Sequence, residues 1–200
     1  MKKLAITIAA VFATLNIFAQ GTVNFSNVGL NPTAPPYVYD NTGAAQVRAA
    51  AGTTFSVALY WSPQVAGVST PPDPGTFIAV GQSIHIAAPG LPISLQAGLY
   101  SGGTVTIPGI APPGGMGWFQ VRAWETAFGS TYESAVAAGS PYGVSNEIDI
   151  GSGNPTITPP TPQTQLTGIS AIHIGVVPEP AILGLGLLGG AALLLLRRRK

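Results

Sequence analysis

The sequence predicts an all-β fold. It reads as an antiparallel two-sheet sandwich, jelly-roll or Ig-like, with one short helix, set between an N-terminal signal peptide and a C-terminal transmembrane helix. Three observations carry this prediction. Apolar residues alternate with period two in short runs, prolines and glycines fall between the runs, and cations gather at the two ends. The 200 residues include 26 glycines and 19 prolines, close to twice the usual share, whereas only 8% are charged, far below the usual fraction.

Met1 to Ala19 has the three parts of a secretory signal. Lys2 and Lys3 open it, Leu4 to Phe18 form the apolar stretch, and Ile17-Phe18-Ala19 supplies a cleavage site ending in a small residue. The stretch is short for a membrane span, so the mature chain is expected to begin at Gln20.

The body is expected over residues 20–150. Its clearest strand runs from Thr53 to Ser62, with Phe55, Val57, Leu59 and Trp61 on one face and Thr54, Ser56, Ala58 and Tyr60 on the other. The second runs from Gly117 to Glu125 and sets Phe119, Val121 and Ala123 against Trp118, Gln120, Arg122 and Trp124. Weaker strands are read at Thr22 to Ser26, Thr76 to Val80, Ser83 to Ala87, Thr104 to Ile107 and Ser145 to Ile150. One helix is expected after Ser130-Thr131-Tyr132-Glu133, read as a capping box with Ser130 as N-cap, Glu133 at N3 and Gly139 as the stop.

Residues 151–168 carry Pro155, Pro159, Pro160 and Pro162 and no charge, as a long loop or a semi-rigid spacer would. Alternation resumes over residues 169–177, with Ile172, Ile174 and Val176 in register, and predicts a last strand. The loop is the preferred reading, because an isolated strand would leave its backbone groups without partners.

Residues 178–200 close the chain. Pro178-Glu179-Pro180 precedes an uninterrupted apolar span, 181–196, and a basic tail, 197–200, reading Arg197-Arg198-Arg199-Lys200. At 1.5 Å per residue the span covers roughly 24 Å, a marginal crossing that arginine snorkelling and bilayer thinning would complete. The basic cluster is expected to stay cytoplasmic, with the body outside.

These elements, in this order at the very end of the chain, resemble a PEP-CTERM sorting signal. The resemblance implies an exosortase, an envelope protease-transpeptidase that recognises Pro178, Glu179 and Pro180 and processes the tail. It also implies a Gram-negative-type envelope and an exopolysaccharide-producing organism. The implied partners are exosortase, the inner membrane through the C-terminal helix before processing, and exopolysaccharide. The implied destination is the cell envelope, the surface or the extracellular matrix, reached from a membrane-anchored precursor.

Charge and composition narrow the function. Between Gln20 and Val177 two arginines, Arg48 and Arg122, face six acids, a net of −4, so binding to a nucleic-acid backbone is excluded. The chain has no cysteine, which excludes disulfides and thiolate chemistry. His85 and His173 form no metal-binding motif, and no cofactor or metal is expected. Asp40-Asn41-Thr42-Gly43 offers oxygen ligands but lacks the DxDxDG array of a calcium loop, and an Asx-turn explains it. No GxSxG motif is present, and Asp73 is read as the start of a turn. Glu125 with Glu133, and Glu147 with Asp149, are the acid pairs to examine for glycoside hydrolysis, with solvated acids as the simpler reading.

Three functions follow. The first is a non-enzymatic envelope or matrix protein with a structural or adhesive β-sandwich. The second is a carbohydrate-binding module that stacks sugars on exposed Trp118 and Trp124, with Gln120 and Arg122 between them, although the preferred reading of these tryptophans is that one or both fill the core or a sheet edge. The third is a small polysaccharide hydrolase.

Overall fold

The computed structural model describes residues 20–31, 35–65, 68–108 and 114–175. The expected signal peptide, Pro178-Glu179-Pro180, the apolar span and the basic tail lie outside the described residues.

Within them the chain is mostly β-sheet, with one short α-helix. The strands are β1 (Gly21–Ser26), β2 (Val38–Asp40), β3 (Val47–Arg48), β4 (Gly52–Pro63), β5 (Ile78–Ile86), β6 (Ser101–Ile107) and β7 (Met116–Glu125). After helix α1 (Tyr132–Ala137) come β8 (Tyr142–Val144), β9 (Ile148–Gly151), β10 (Thr164–Gln165) and β11 (Ile172–Ile174). The largest sheet has the order β5-β4-β7-β8, with β9 also paired to β7. Two three-stranded sheets have the orders β10-β1-β6 and β11-β2-β3.

Strands β4 and β7 form the antiparallel centre of the large sheet, with Leu59 opposite Val121 and Tyr60 opposite Gln120. The alternation separates their two faces as the sequence predicts. Phe55, Val57, Leu59 and Trp61 of β4 join Phe119, Val121 and Ala123 of β7 in one core. The same core takes Val23 and Phe25 from β1, Val38 from β2, Val105 and Ile107 from β6, and Ile172 and Ile174 from β11. All three sheets thus bury apolar side chains together, each full burial contributing about 1.5–3 kcal/mol.

Several expectations need correction. The runs expected at Thr76 to Val80 and Ser83 to Ala87 are one strand, β5, in which Val57 stands opposite Ile84 and Leu59 opposite Val80. The surplus residues of β5 bulge there, and Gly81 takes a φ of +72°, open to glycine at little cost. The run expected at Ser145 to Ile150 is shortened to β9, which opens at Ile148; Ser145 lies outside the strands, and its side chain accepts from Val121 N at 2.9 Å. Pairing is also not antiparallel throughout: β1 with β10 and β2 with β11 are parallel. Strands β2, β3 and β10 have two or three residues each, too few for a period to register.

The helix cap is shifted by one residue. Thr131, not Ser130, is the N-cap, and it exchanges side-chain and backbone hydrogen bonds with Ser134 at N3. Glu133 is thereby released from capping.

The proline-rich stretch lies along β1. Thr22 and Gly153 exchange backbone hydrogen bonds at 3.1 and 2.8 Å, and β10 pairs with Val23 and Asn24. Leu166 and Ile169, which follow, are buried in the shared core. Strand β11 then crosses behind β8, where Tyr142 and Gly175 exchange backbone hydrogen bonds at 3.2 and 3.1 Å. Gly143 has no room for a side chain, since a Cβ there would strike the carbonyl of His173.

Candidate functional site

Trp118, Gln120, Arg122 and Trp124 share one face of β7, but that face is covered rather than open. They are 8%, 4%, 8% and 0% exposed. The alternative of exposed stacking tryptophans is corrected accordingly, and the preferred core-filling reading describes both. Tyr60 from β4, Phe77 from the turn before β5 and Ala135 from α1 are buried with the two tryptophans in a second cluster, against which Tyr132 and Tyr142 pack. The Trp124 indole N–H donates to the carbonyl of Gly129 at 2.9 Å, which satisfies its only polar group.

Arg122 is the centre of this cover. Its guanidinium carbon lies 4.1 Å from the Tyr60 ring centroid, 5.1 Å from Tyr132 and 5.9 Å from Phe77. Its Nε donates to Gln120 Oε1 at 2.8 Å and Nη2 to the carbonyl of Pro74 at 2.8 Å, while Nη1 is 3.7 Å from Glu133 Oε1. A cation removed from water needs such partners, and here rings, carbonyls and a carboxylate provide them. Tyr60 donates its phenol proton to Glu133 at 2.8 Å. Burial, reinforced by that hydrogen bond, raises the Tyr60 pKa well above the usual phenol value.

Three of the four acids examined for hydrolysis have distinct side-chain partners. Glu133 serves Tyr60 and Arg122, and Glu147 accepts from Gln120 Nε2 at 3.0 Å. Asp149 accepts from Gln64 Nε2 at 2.6 Å through one oxygen, while burial of the carboxyl raises its pKa. Asp40 accepts from the N–H and hydroxyl of Thr42 at 2.9 and 2.6 Å, the Asx-turn arrangement. Asp73 caps a short 3₁₀ turn by accepting from Gly75 N at 2.8 Å.

The exposed surface richest in recognition chemistry lies elsewhere, on the three-stranded sheet β11-β2-β3. Val38, Ile172 and Ile174 point into the core, so alternation turns Tyr37, Tyr39 and His173 outward. Register places His173 beside Tyr39 and Tyr39 beside Arg48, one row across three strands. The His173 imidazole stacks on Tyr39 with centroids 5.1 Å apart and planes inclined by 8°. Arg48 lies over Tyr37 at 3.7 Å from its centroid, and the Tyr37 and Tyr39 rings are 6.3 Å apart. Gln46 Nε2 is 3.1 Å from His173 Nδ1. Both stacked groups are exposed and both supporting tyrosines half-buried.

The backbone beneath is fixed. Val38 N donates to the carbonyl of Gly98 at 2.9 Å, Ala49 N to that of Val38 at 2.9 Å, and Ile172 N to that of Tyr37 at 3.0 Å. Beside Tyr39 a groove of about 510 Å³ runs past Asn31, Pro35, Pro36 and Thr167. The signal for this surface was the alternation Tyr37-Val38-Tyr39 after Pro35-Pro36, too short to stand out; its partners His173 and Arg48 are remote in the chain.

No protein-family model, curated protein or solved structure matches this chain.

Proposed function

We propose that this chain is an exported, exosortase-sorted protein of the cell envelope or extracellular matrix, whose body is a structural or adhesive two-layer β-sandwich. The five-stranded sheet forms one layer and the two three-stranded sheets form the other. One observation carries the reading: the shared core runs from Val23 to Ile174, so the packed body fits between a leader ending at Ala19 and a sorting signal opening at Pro178. The low charge of the body and its abundance of glycine and proline suit a surface coat more than a steered encounter with a charged partner.

Intact-mass analysis of the native protein from cell envelope and medium tests this. The expected species begins at Gln20 and ends near Pro178-Glu179-Pro180. A full-length tail in the envelope would replace sorting by permanent anchorage, and an untrimmed chain confined to the cytosol would overturn export.

A further inference from the structure

We propose that the outer face of the β11-β2-β3 sheet binds an acidic saccharide. The carboxylate of a uronate pairs with Arg48, and its pyranose ring rests against the His173–Tyr39 stack. This goes beyond export and sorting and holds whichever way the tail is processed.

The argument begins with charge. Arg48 and Arg122 are the only lysine or arginine residues in the described chain, and Arg122 is buried among its partners. Arg48 is therefore the one exposed permanent cation among the described residues, and no described carboxylate pairs with it. Its guanidinium carbon lies over the Tyr37 ring, 3.7 Å from the centroid, and no described hydrogen bond occupies its N–H donors. A guanidinium with open donors can receive a carboxylate through two parallel hydrogen bonds. A flexible lysine in the same place would lose more entropy on binding.

The second argument is shape. The imidazole of His173, stacked on Tyr39, is exposed, and the edges of the two rings border the outer surface of the sheet. Flat rings with adjacent donors and acceptors suit a pyranose, which has C–H bonds on its face and hydroxyls around its rim. Gln46, at 3.1 Å from His173, sets an amide at that rim. Two strand spacings put the backbones of His173 and Arg48 about 10 Å apart, a span on the scale of one or two sugar rings.

The third argument is preorganisation. The cation and the imidazole are already stacked on rings anchored in a hydrogen-bonded sheet, so little ordering remains to oppose binding. The body's net charge of −4 acts against a polyanion only at long range, and salt screens it beyond about 8 Å. Recognition is consequently local and salt-tolerant compared with binding to a basic patch.

The test uses the full-length chain in detergent micelles and three probes: trigalacturonate, its methyl ester and sodium acetate. Titration calorimetry gives affinity. The ring-proton resonances of His173, one of two histidines in the chain, report contact. Trigalacturonate is expected to bind and to shift those resonances, and the methyl ester to bind about tenfold more weakly or worse. Acetate is expected not to compete at matched concentrations. Arg48→Gln, an exposed change, is expected to lose about tenfold in affinity for trigalacturonate while Gln46→Ala loses less. No binding of trigalacturonate, equal binding of acid and ester, effective competition by acetate, or full affinity in Arg48→Gln would each overturn the proposal.

Discussion

The phenol of Tyr60 donates to Glu133 Oε1 at 2.8 Å, and this bond ties helix α1 to the outer face of the large sheet. The ring beneath that phenol also carries the Arg122 guanidinium. The two roles are separable. Tyr60→Phe keeps the ring and leaves Glu133 facing water, so it is expected to cost about 0.5–1.5 kcal/mol. Tyr60→Ala removes the support of a buried cation as well and is expected to cost more than 3 kcal/mol. Chemical denaturation of the two variants measures the difference; equal losses would mean that the ring adds nothing.

Trp124 is fully buried, with its indole N–H bonded to Gly129. Trp124→Ala is expected to destabilise the fold by about 3–5 kcal/mol. Any loss of polysaccharide retention in that variant then reports unfolding, which near-ultraviolet circular dichroism would register. A Trp124→Ala protein with native stability would contradict the buried position.

The shifted cap gives a sharp pair of variants. Thr131→Ala is expected to cost about 1 kcal/mol, because it removes the acceptor for Ser134 N. Ser130→Ala, one residue earlier, is expected to stay within about 0.5 kcal/mol. Thermal denaturation that ranks them the other way would restore the boundary read from sequence.

Alkaline pH selects against three tyrosines. Burial raises Tyr60 and Tyr100 well above the usual phenol value and pushes Tyr132 up to about 12. A raised phenol pKa stabilises the fold while the group stays protonated in both states. That contribution is complete below about pH 10, the unfolded value, and is lost as pH rises toward the folded values. Stability is expected to fall steeply above about pH 10. The Tyr100 hydroxyl is buried and has no hydrogen-bond partner among the described residues. Tyr100→Phe is therefore expected to be neutral or stabilising by about 1 kcal/mol at pH 7 and to soften the alkaline loss. A destabilised Tyr100→Phe would indicate a partner for the hydroxyl.

Long alternating runs were legible in the sequence because ten or so residues fix a period. Phe55, Val57, Leu59 and Trp61 therefore came out on the core side, opposite Ala58 and Tyr60. What alternation cannot say is whether the second face meets water. The cover over Trp118 and Trp124 comes from Phe77 and Tyr132, which belong to other elements and announce nothing in the local pattern. The cap was misplaced for a related reason: Ser130 and Thr131 both suit the position, and only the bond to Ser134 distinguishes them. The Tyr39 row stayed hidden because its members come from three strands and meet only through register.

The pairing of β10 with β1 joins residues 141 positions apart, as in the bond from Asn24 to Gln165. Leu166, Ile169, Ile172 and Ile174 complete the interior from the last quarter of the described chain. A polypeptide emerging from its N-terminus consequently cannot finish packing this core until Ile174 has been made, since distant contacts form late and slowly. Until then β1 has β6 beside it but not β10, and the interior lacks the side chains that follow residue 164. Closure of the core is thus deferred to the final described segment, and removing residues 164–175 is the truncation that would leave the interior open.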